Sequence, residues 1–167
     1  EVLSVEDIPC HHHPVPDNAS SHGCNWPSAF SVPIPEEWSS GYYEFTMEIA
    51  DDGETYEQRC VRSAQATGYF VLRPKADQPR AKMLIGLSTN TYAAYNNWGG
   101  YSLYAYHGRG GVQGNLVSFQ RPDRGLFSRW EAPFVQWIEE NGYALDYCTN
   151  LDLEHYPDLL DQYPLLL

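Results

Sequence analysis

The sequence predicts an α/β fold: an open, mostly parallel sheet with flanking helices, preceded by a small antiparallel β layer in the first half. Three observations carry this. The second half alternates short apolar runs with helix-period segments, which is the pattern of βαβ units. One of those runs, Lys82-Met83-Leu84-Ile85-Gly86-Leu87, is continuously apolar, as in strands covered on both faces. The first half instead alternates apolar and polar residues between turn signals, as an antiparallel layer does.

Taken in order, residues 1–35 are rich in Pro, His, Asn and Ser and have no sustained period, so they read as an irregular arm or linker. The domain is expected over residues 36–167. After the turn Ser39-Ser40-Gly41, the residues Tyr43, Phe45, Met47 and Ile49 alternate with polar neighbours and predict a half-buried strand on that face. Asp51-Asp52-Gly53 is a hairpin-type turn, and Tyr56–Val61 and Gly68–Pro74 are the second and third strands. Lys82–Leu87 comes after a Pro/Lys/Asp-rich link, and Tyr92–Trp98 forms a short helix or tight loop beyond it. Val112–Phe119 reads as a further strand. A helix begins at Pro133, with Phe134, Trp137 and Ile138 on one face and Gly142 as its terminating residue. Tyr143–Tyr147 is then a strand, Asn150–Leu160 helical, and Leu165–Leu167 the beginning of another strand that continues past the last residue.

Composition narrows the function. Ten Lys and Arg against 22 Asp and Glu give a formal charge of −12, a field that repels phosphate backbones and argues against nucleic acid. No apolar run approaches the roughly 20 residues of a membrane span. The chain reads as soluble, and as cytoplasmic rather than secreted. The 13 tyrosines suit packing, interfaces or ligand pockets alike. Cys10, Cys24, Cys60 and Cys148 permit disulfides without requiring them. Cys10-His11-His12-His13 with His22 and Cys24 offers zinc-type donors. The spacing matches no zinc motif, and a Cys10–Cys24 disulfide or an exposed His-rich arm explains the same residues. His107, among glycines, reads as a loop residue.

Ligands of open α/β sheets bind where the carboxyl ends of strands empty into loops. Lys82–Leu87 empties into Ser88–Tyr104, STNTYAAYNNWGGYSLY, which packs tyrosines, Asn96, Asn97, Trp98 and Gly99-Gly100 together. Position therefore argues for a site there, although a tyrosine in such a loop is also an ordinary packing residue.

That segment resembles the T-x-x-A-Y-N-x-W-G-G-x-S-L-Y motif of the N,N-dimethylformamidase large (beta) subunit family. Ser40-Gly41-Tyr42-Tyr43 is similar to its S-G-x-Y element, Phe70–Pro74 to F-V-x-R-P, Val117–Pro122 to V-S-F-x-R-P, and Phe134–Tyr147 to its helix–strand unit; Asn150–Leu153 also matches in order. The resemblance runs from about Ser39 to the C-terminus. It implies hydrolysis of a small, dimethylformamide-like amide by iron-activated water, within a larger and oligomeric enzyme that acts on linear C–N amide bonds. It implies a mononuclear iron held by two tyrosines and one glutamate. Phenolates and carboxylates are hard oxygen donors suited to such a cation. Position by position, Tyr95 and Tyr43 correspond to the tyrosine ligands, with Tyr42 the register alternative to Tyr43, and Ser40 and Asn96 to supporting catalytic groups. The family's glutamate lies in a later G-H-D-E-Y-W motif, which these 167 residues do not contain. A further polypeptide or a continuation beyond Leu167 is expected to supply it. The alternative is a non-catalytic binding or assembly module on the same scaffold.

Overall fold

The computed structural model describes residues 2–9, 11–48, 65–76 and 80–167. The chain divides into two compact units, Glu1–Trp38 with Ala94–Arg121, and Ser39–Ala93 with Pro122–Leu167. Each is described by itself.

In the second unit, β1 (Gly41–Met47) pairs antiparallel with β2 (Ala66–Leu72), Gly41 facing Leu72 and Met47 facing Ala66. Phe45 faces Gly68, and its ring fills the space a Cβ at 68 would need. The expected strand Tyr56–Val61 and the turn at 51–53 lie outside the described residues. The buried face of β1 is not the one its alternation suggests. Phe45 and Met47 are exposed, and Tyr42 is the residue that packs, its ring 5.1 Å from Tyr69 and 4.1 Å from Phe127. An apolar face is buried only where a core meets it, and here Tyr42 meets it.

The parallel sheet has the order β4-β3-β5, with β3 at Met83–Leu87, β4 at Leu145–Thr149 and β5 at Leu165–Leu166. All of these fall within one or two residues of the predicted strands. Side chains alternate along β3. Ile85 and Leu87 join Leu145, Tyr147, Val135 and Ile138 in one core, and Leu84 joins Cys148 and Leu159 in the other. The continuous apolar run is thus explained, since each face has its own cover. Leu84 is wholly buried; removing such a side chain from water contributes about 1.5–3 kcal/mol.

The short helix α1 (Ala19–His22) belongs to the first unit. Along the rest of the chain lie α2 (Thr89–Tyr95), α3 (Phe127–Trp130), α4 (Ala132–Glu140) and α5 (Asn150–His155). In α4, Pro133 occupies the first turn and Gly142, at φ 78°, ends the helix in the left-handed conformation glycine adopts without cost. The predicted stripe is rotated, however. Val135 and Ile138 are the buried pair, whereas Phe134 and Trp137 are exposed and stacked on each other, centroids 6.3 Å apart. Positions three apart share a face, and the sheet took 135 and 138 rather than 134 and 137. The α5 helix starts from a capping box: Thr149 Oγ1 accepts from Asp152 N, and Asp152 Oδ2 accepts from Thr149 N at 2.8 Å. The expected continuous helix Asn150–Leu160 breaks at Tyr156-Pro157, where proline lacks the N–H, and a 3₁₀ turn, Pro157–Gln162, takes over.

The first unit is mostly loop. The strand expected at Val112–Phe119 is absent. Backbone groups there bond to scattered partners instead of one neighbour: Gly114 N donates to Ser102 O at 2.8 Å, and Ser118 N to Ser20 O at 2.9 Å. Gly99, at φ 84°, lets the chain pass so close to α1 that a Cβ there would sit 2.8 Å from Ser20 N. Among the described residues, no helix is long and apolar enough to cross a membrane. Cys24 and Cys148 are buried free thiols, and Cys10 and Cys60 lie outside the described residues.

Candidate functional site

The carboxyl end of β3 runs through Ser88 into α2. Asn150 Oδ1, at the start of α5, accepts from Asn90 N at 2.9 Å and fixes the entry of the helix. Thr89, Tyr92 and Ala93 are buried on α2. Tyr92 is only 2% exposed. Burial first, then the neighbouring Glu131 carboxylate, pushes its phenol well above the usual range, so Tyr92 is a structural phenol. Tyr95 ends the helix one turn later and is half-buried.

Hydrogen bonds hold the turn after Tyr95. Trp98 N donates to Asn96 Oδ1 at 2.9 Å, and Leu103 N to Ala94 O at 3.0 Å. Arg121, 6% exposed, donates to Asn96 O at 2.9 Å, Trp98 O at 2.7 Å, Tyr101 O at 3.2 Å and Ser118 O at 2.9 Å. One guanidinium therefore gathers four carbonyls, using the fork of donors that lysine lacks. Asn96 sits in this turn and shapes it through its side-chain oxygen.

Around Tyr95 the structure gathers aromatic residues. Its ring centroid is 4.2 Å from Tyr104 and 5.8 Å from His107; Tyr106 lies 5.7 Å from Tyr104 and 4.3 Å from His107. His107 Nδ1 donates to Tyr95 O at 3.2 Å, which fixes the proton on that nitrogen, since a carbonyl only accepts. The Tyr104 phenol is held above its ordinary value, first by its hydrogen bond to Tyr95 and then by Tyr95's charge.

Tyr43 belongs to the second unit and Tyr95 to the first. The Tyr43 hydroxyl donates to Ser39 O at 2.8 Å, its ring stacks on Phe70 at 5.3 Å, and burial raises its phenol. Tyr42 is packed between Tyr69 and Phe127, with its hydroxyl 3.4 Å from Arg124 O. Ser40 Oγ donates to Leu72 O and accepts from Tyr147 N, both at 2.9 Å. Ser40 is a junction between the ribbon and the parallel sheet.

Among the described residues, no three His, Cys, Asp or Glu side chains are placed to hold a metal ion together. In the amino-terminal arm, His13 stacks on Trp26 at 6.3 Å, and His22 Nδ1 meets Ser21 Oγ at 2.8 Å. The phenolic donors are a separate matter. Tyr95, half-buried in a group of hydroxyls, fits a hard cation in kind; Tyr43 fits at the cost of its bond to Ser39. Sequence reasoning gives Arg121, Tyr104 and Tyr106 no role. Arg121 stands inside the Val117–Pro122 element and Tyr104 closes the tyrosine-rich segment, so the signals are present without a function attached.

The sequence matches the family described as N,N-dimethylformamidase beta subunit-like, C-terminal, over residues 3–167, and the chain belongs to that family. The match begins at residue 3 and so includes the Pro- and His-rich arm, which lies ahead of every motif that carries the resemblance. A search of curated proteins gave no match.

Proposed function

We propose that this member of the N,N-dimethylformamidase beta subunit-like family is the iron-binding part of an enzyme that hydrolyses a small amide. The observation that carries the reading is the placement of Tyr95: it comes after a buried parallel strand and lies in a group of hydroxyl donors within the segment that bears the family motif. Tyr95 and Tyr43 would hold the ion as phenolates, and the cation would keep them deprotonated although free tyrosine titrates at about 10. When bound, ferric iron supplies Lewis acidity toward an amide carbonyl and an attacking water. The remaining roles belong to this chain. Arg121 fixes the turn after Tyr95, so the phenol is oriented before a ligand arrives. His107 holds the end of α2 from the other side. Asn96 keeps the turn in shape, and Ser40 anchors the ribbon that carries Tyr43. A further polypeptide, or a continuation of this one beyond Leu167, is part of this proposal, as the source of the carboxylate in the family's ligand set.

A second reading, a binding or assembly module without chemistry, draws on the Tyr43–Ser39 bond, which occupies one proposed ligand. Metal analysis and visible absorption of the purified chain after addition of ferric iron separate the two. The iron reading expects bound iron and a tyrosinate-to-iron charge-transfer band that Tyr95→Phe removes. A colourless chain that retains no iron would sink it.

A further inference from the structure

In the second unit, four aromatic rings follow one another from α3 through the ribbon to α2. Phe127 stacks on Tyr42 with centroids 4.1 Å apart, Tyr42 stacks on Tyr69 at 5.1 Å, and Tyr69 meets Tyr92 edge-on at 5.9 Å. The loop before α3 is pressed onto two of them: a Cβ at Gly125, φ 67°, would sit 2.8 Å from the Tyr42 hydroxyl and 3.0 Å from the Tyr69 ring. Glu131 N donates to Phe127 O at 3.0 Å, so this carboxylate stands one turn beyond Phe127, on the same side as that ring. It is also the acidic neighbour of Tyr92. Yet Tyr92, only 2% exposed, makes no hydrogen bond through its hydroxyl, and Glu131 Oε2, itself sealed from solvent, makes none either. The two groups are neighbours without hydrogen-bonding geometry between them.

Folded proteins leave few buried polar atoms unpaired, because each costs the free energy of its lost hydration. A ligand that donates to both oxygens removes that cost. Charge narrows its chemistry. The charged groups that face Tyr42 are Glu44, Asp123 and Glu131, all acidic, and an anion is excluded. Among the described residues, no three His, Cys, Asp or Glu side chains are placed to hold a metal ion, and ring faces offer a metal no donor atoms. An organic ammonium is attracted by the carboxylate and by the ring faces alike. The burial that takes Tyr92 out of acid–base chemistry keeps it a neutral phenol, whose oxygen still accepts. Tyr42, Tyr69, Phe127 and Glu131 are each only half-buried, which leaves an approach from solvent.

We propose that Glu131 and Tyr92, walled by Tyr42, Tyr69 and Phe127, bind a small secondary alkylammonium ion. One N–H donates to Glu131 Oε2 and the other to the Tyr92 hydroxyl, while the alkyl groups lie against the rings. Such an ion keeps its proton at neutral pH, as a lysine ammonium does. The site needs no metal and does not depend on Tyr95 or Tyr43. Where the preceding reading also holds, hydrolysis of an N-substituted amide releases an amine of this class.

The test titrates dimethylammonium chloride into the full chain and follows the aromatic NMR resonances, with sodium chloride and tetramethylammonium chloride at equal ionic strength as comparisons. An ion of so few atoms binds with a Kd no tighter than about 1 mM, so the titration runs to about 100 mM. The proposal expects saturation by dimethylammonium, none by sodium, and weaker binding of tetramethylammonium, which has no N–H to donate. Glu131→Gln keeps the shape and removes the charge, and should weaken dimethylammonium by at least about 10-fold. Tyr92→Phe removes one acceptor and should weaken it by about 3- to 10-fold. Without amine, Tyr92→Phe should leave the urea midpoint unchanged or raised, since it deletes an unpaired hydroxyl; a lowered midpoint would show that hydroxyl bonded within the fold and overturn the proposal. So would shifts in wild type that never saturate, an equal response to sodium, or binding undiminished in both variants. The wild-type titration decides even if a variant fails to fold. Iron enters none of these readouts, so failure here leaves the iron reading untouched, and loss of the iron reading leaves this one standing.

Discussion

Each of the two units of this chain has its own means of internal cohesion. The unit of Ser39–Ala93 with Pro122–Leu167 has a parallel sheet whose two faces each bury an apolar cluster. The unit of Glu1–Trp38 with Ala94–Arg121 is built of loops, and its most buried side chains include Arg121, Ser102, Ser20 and Ala19. In the first case the area removed from water dominates. In the second, a guanidinium satisfies carbonyls that no ladder serves. Buried backbone oxygens are costly when left unpaired, so a single polar side chain can organise a region with little apolar content. The proposed functional residues divide along the same line: Tyr95 and Asn96 stand in the loop unit, Tyr43 and Ser40 in the sheet unit.

The contrast can be broken by mutation. The largest effect is expected from Leu84→Ala, which leaves a cavity under β3 and should cost about 2–5 kcal/mol in denaturant unfolding. A loss below about 1 kcal/mol would mean that the sheet unit is not held by its core. Arg121→Ala should cost about 2–3 kcal/mol by orphaning buried carbonyls, and should alter the fluorescence of Trp98, whose carbonyl it grips, and of Trp26, whose ring is 5.9 Å from Trp98. If Arg121→Lys restored wild-type stability, the fork geometry would be irrelevant. Alkaline pH should weaken the sheet unit further. Tyr163 is raised from 10.0 to about 12 by burial and by its bond to Asp146, and Cys148 from 9.0 to about 11 by burial and by Asp152. The folded state holds these protons more tightly than the unfolded chain. Their contribution is therefore whole below the unfolded values and lost as pH rises through the folded ones. Stability measured at successive pH values should stay level up to about pH 9 and fall from there toward about pH 12; a level profile across that window would contradict the burial of these groups. The smallest effect is expected from Trp137→Ala, within about 1 kcal/mol despite the size of the side chain, because 57% of Trp137 is exposed.

The same contrast explains what the sequence disclosed. Period and turn chemistry report on ladders and covered faces, so β3, β4, β5, α4 and its Gly142 stop were legible. Which face an amphipathic element buries depends on its neighbour, and this is why Tyr42 replaced Tyr43 and Phe45 on β1, and Val135 replaced Phe134 and Trp137 on α4. The loop unit has no period to read. Val112–Phe119 carries strand-like residues, yet its partners are single atoms of distant turns. The candidate site was legible as a segment because a strand empties into it. The gathering of Tyr104 and Tyr106 around Tyr95 was not, since it depends on a 3₁₀ turn that no local pattern announces.

Ser40 has one more consequence, for the order in which the chain assembles. Its hydroxyl joins residues 32 and 107 positions away in sequence. Closing such loops costs entropy that only an assembled sheet offsets. The junction therefore belongs to the last part of the folding reaction, after its transition state. Replacing Ser40 by alanine should leave the refolding rate nearly unchanged and accelerate unfolding, the signature of a late-forming contact. One hydroxyl would then set how long the ribbon bearing Tyr43 stays attached to the sheet.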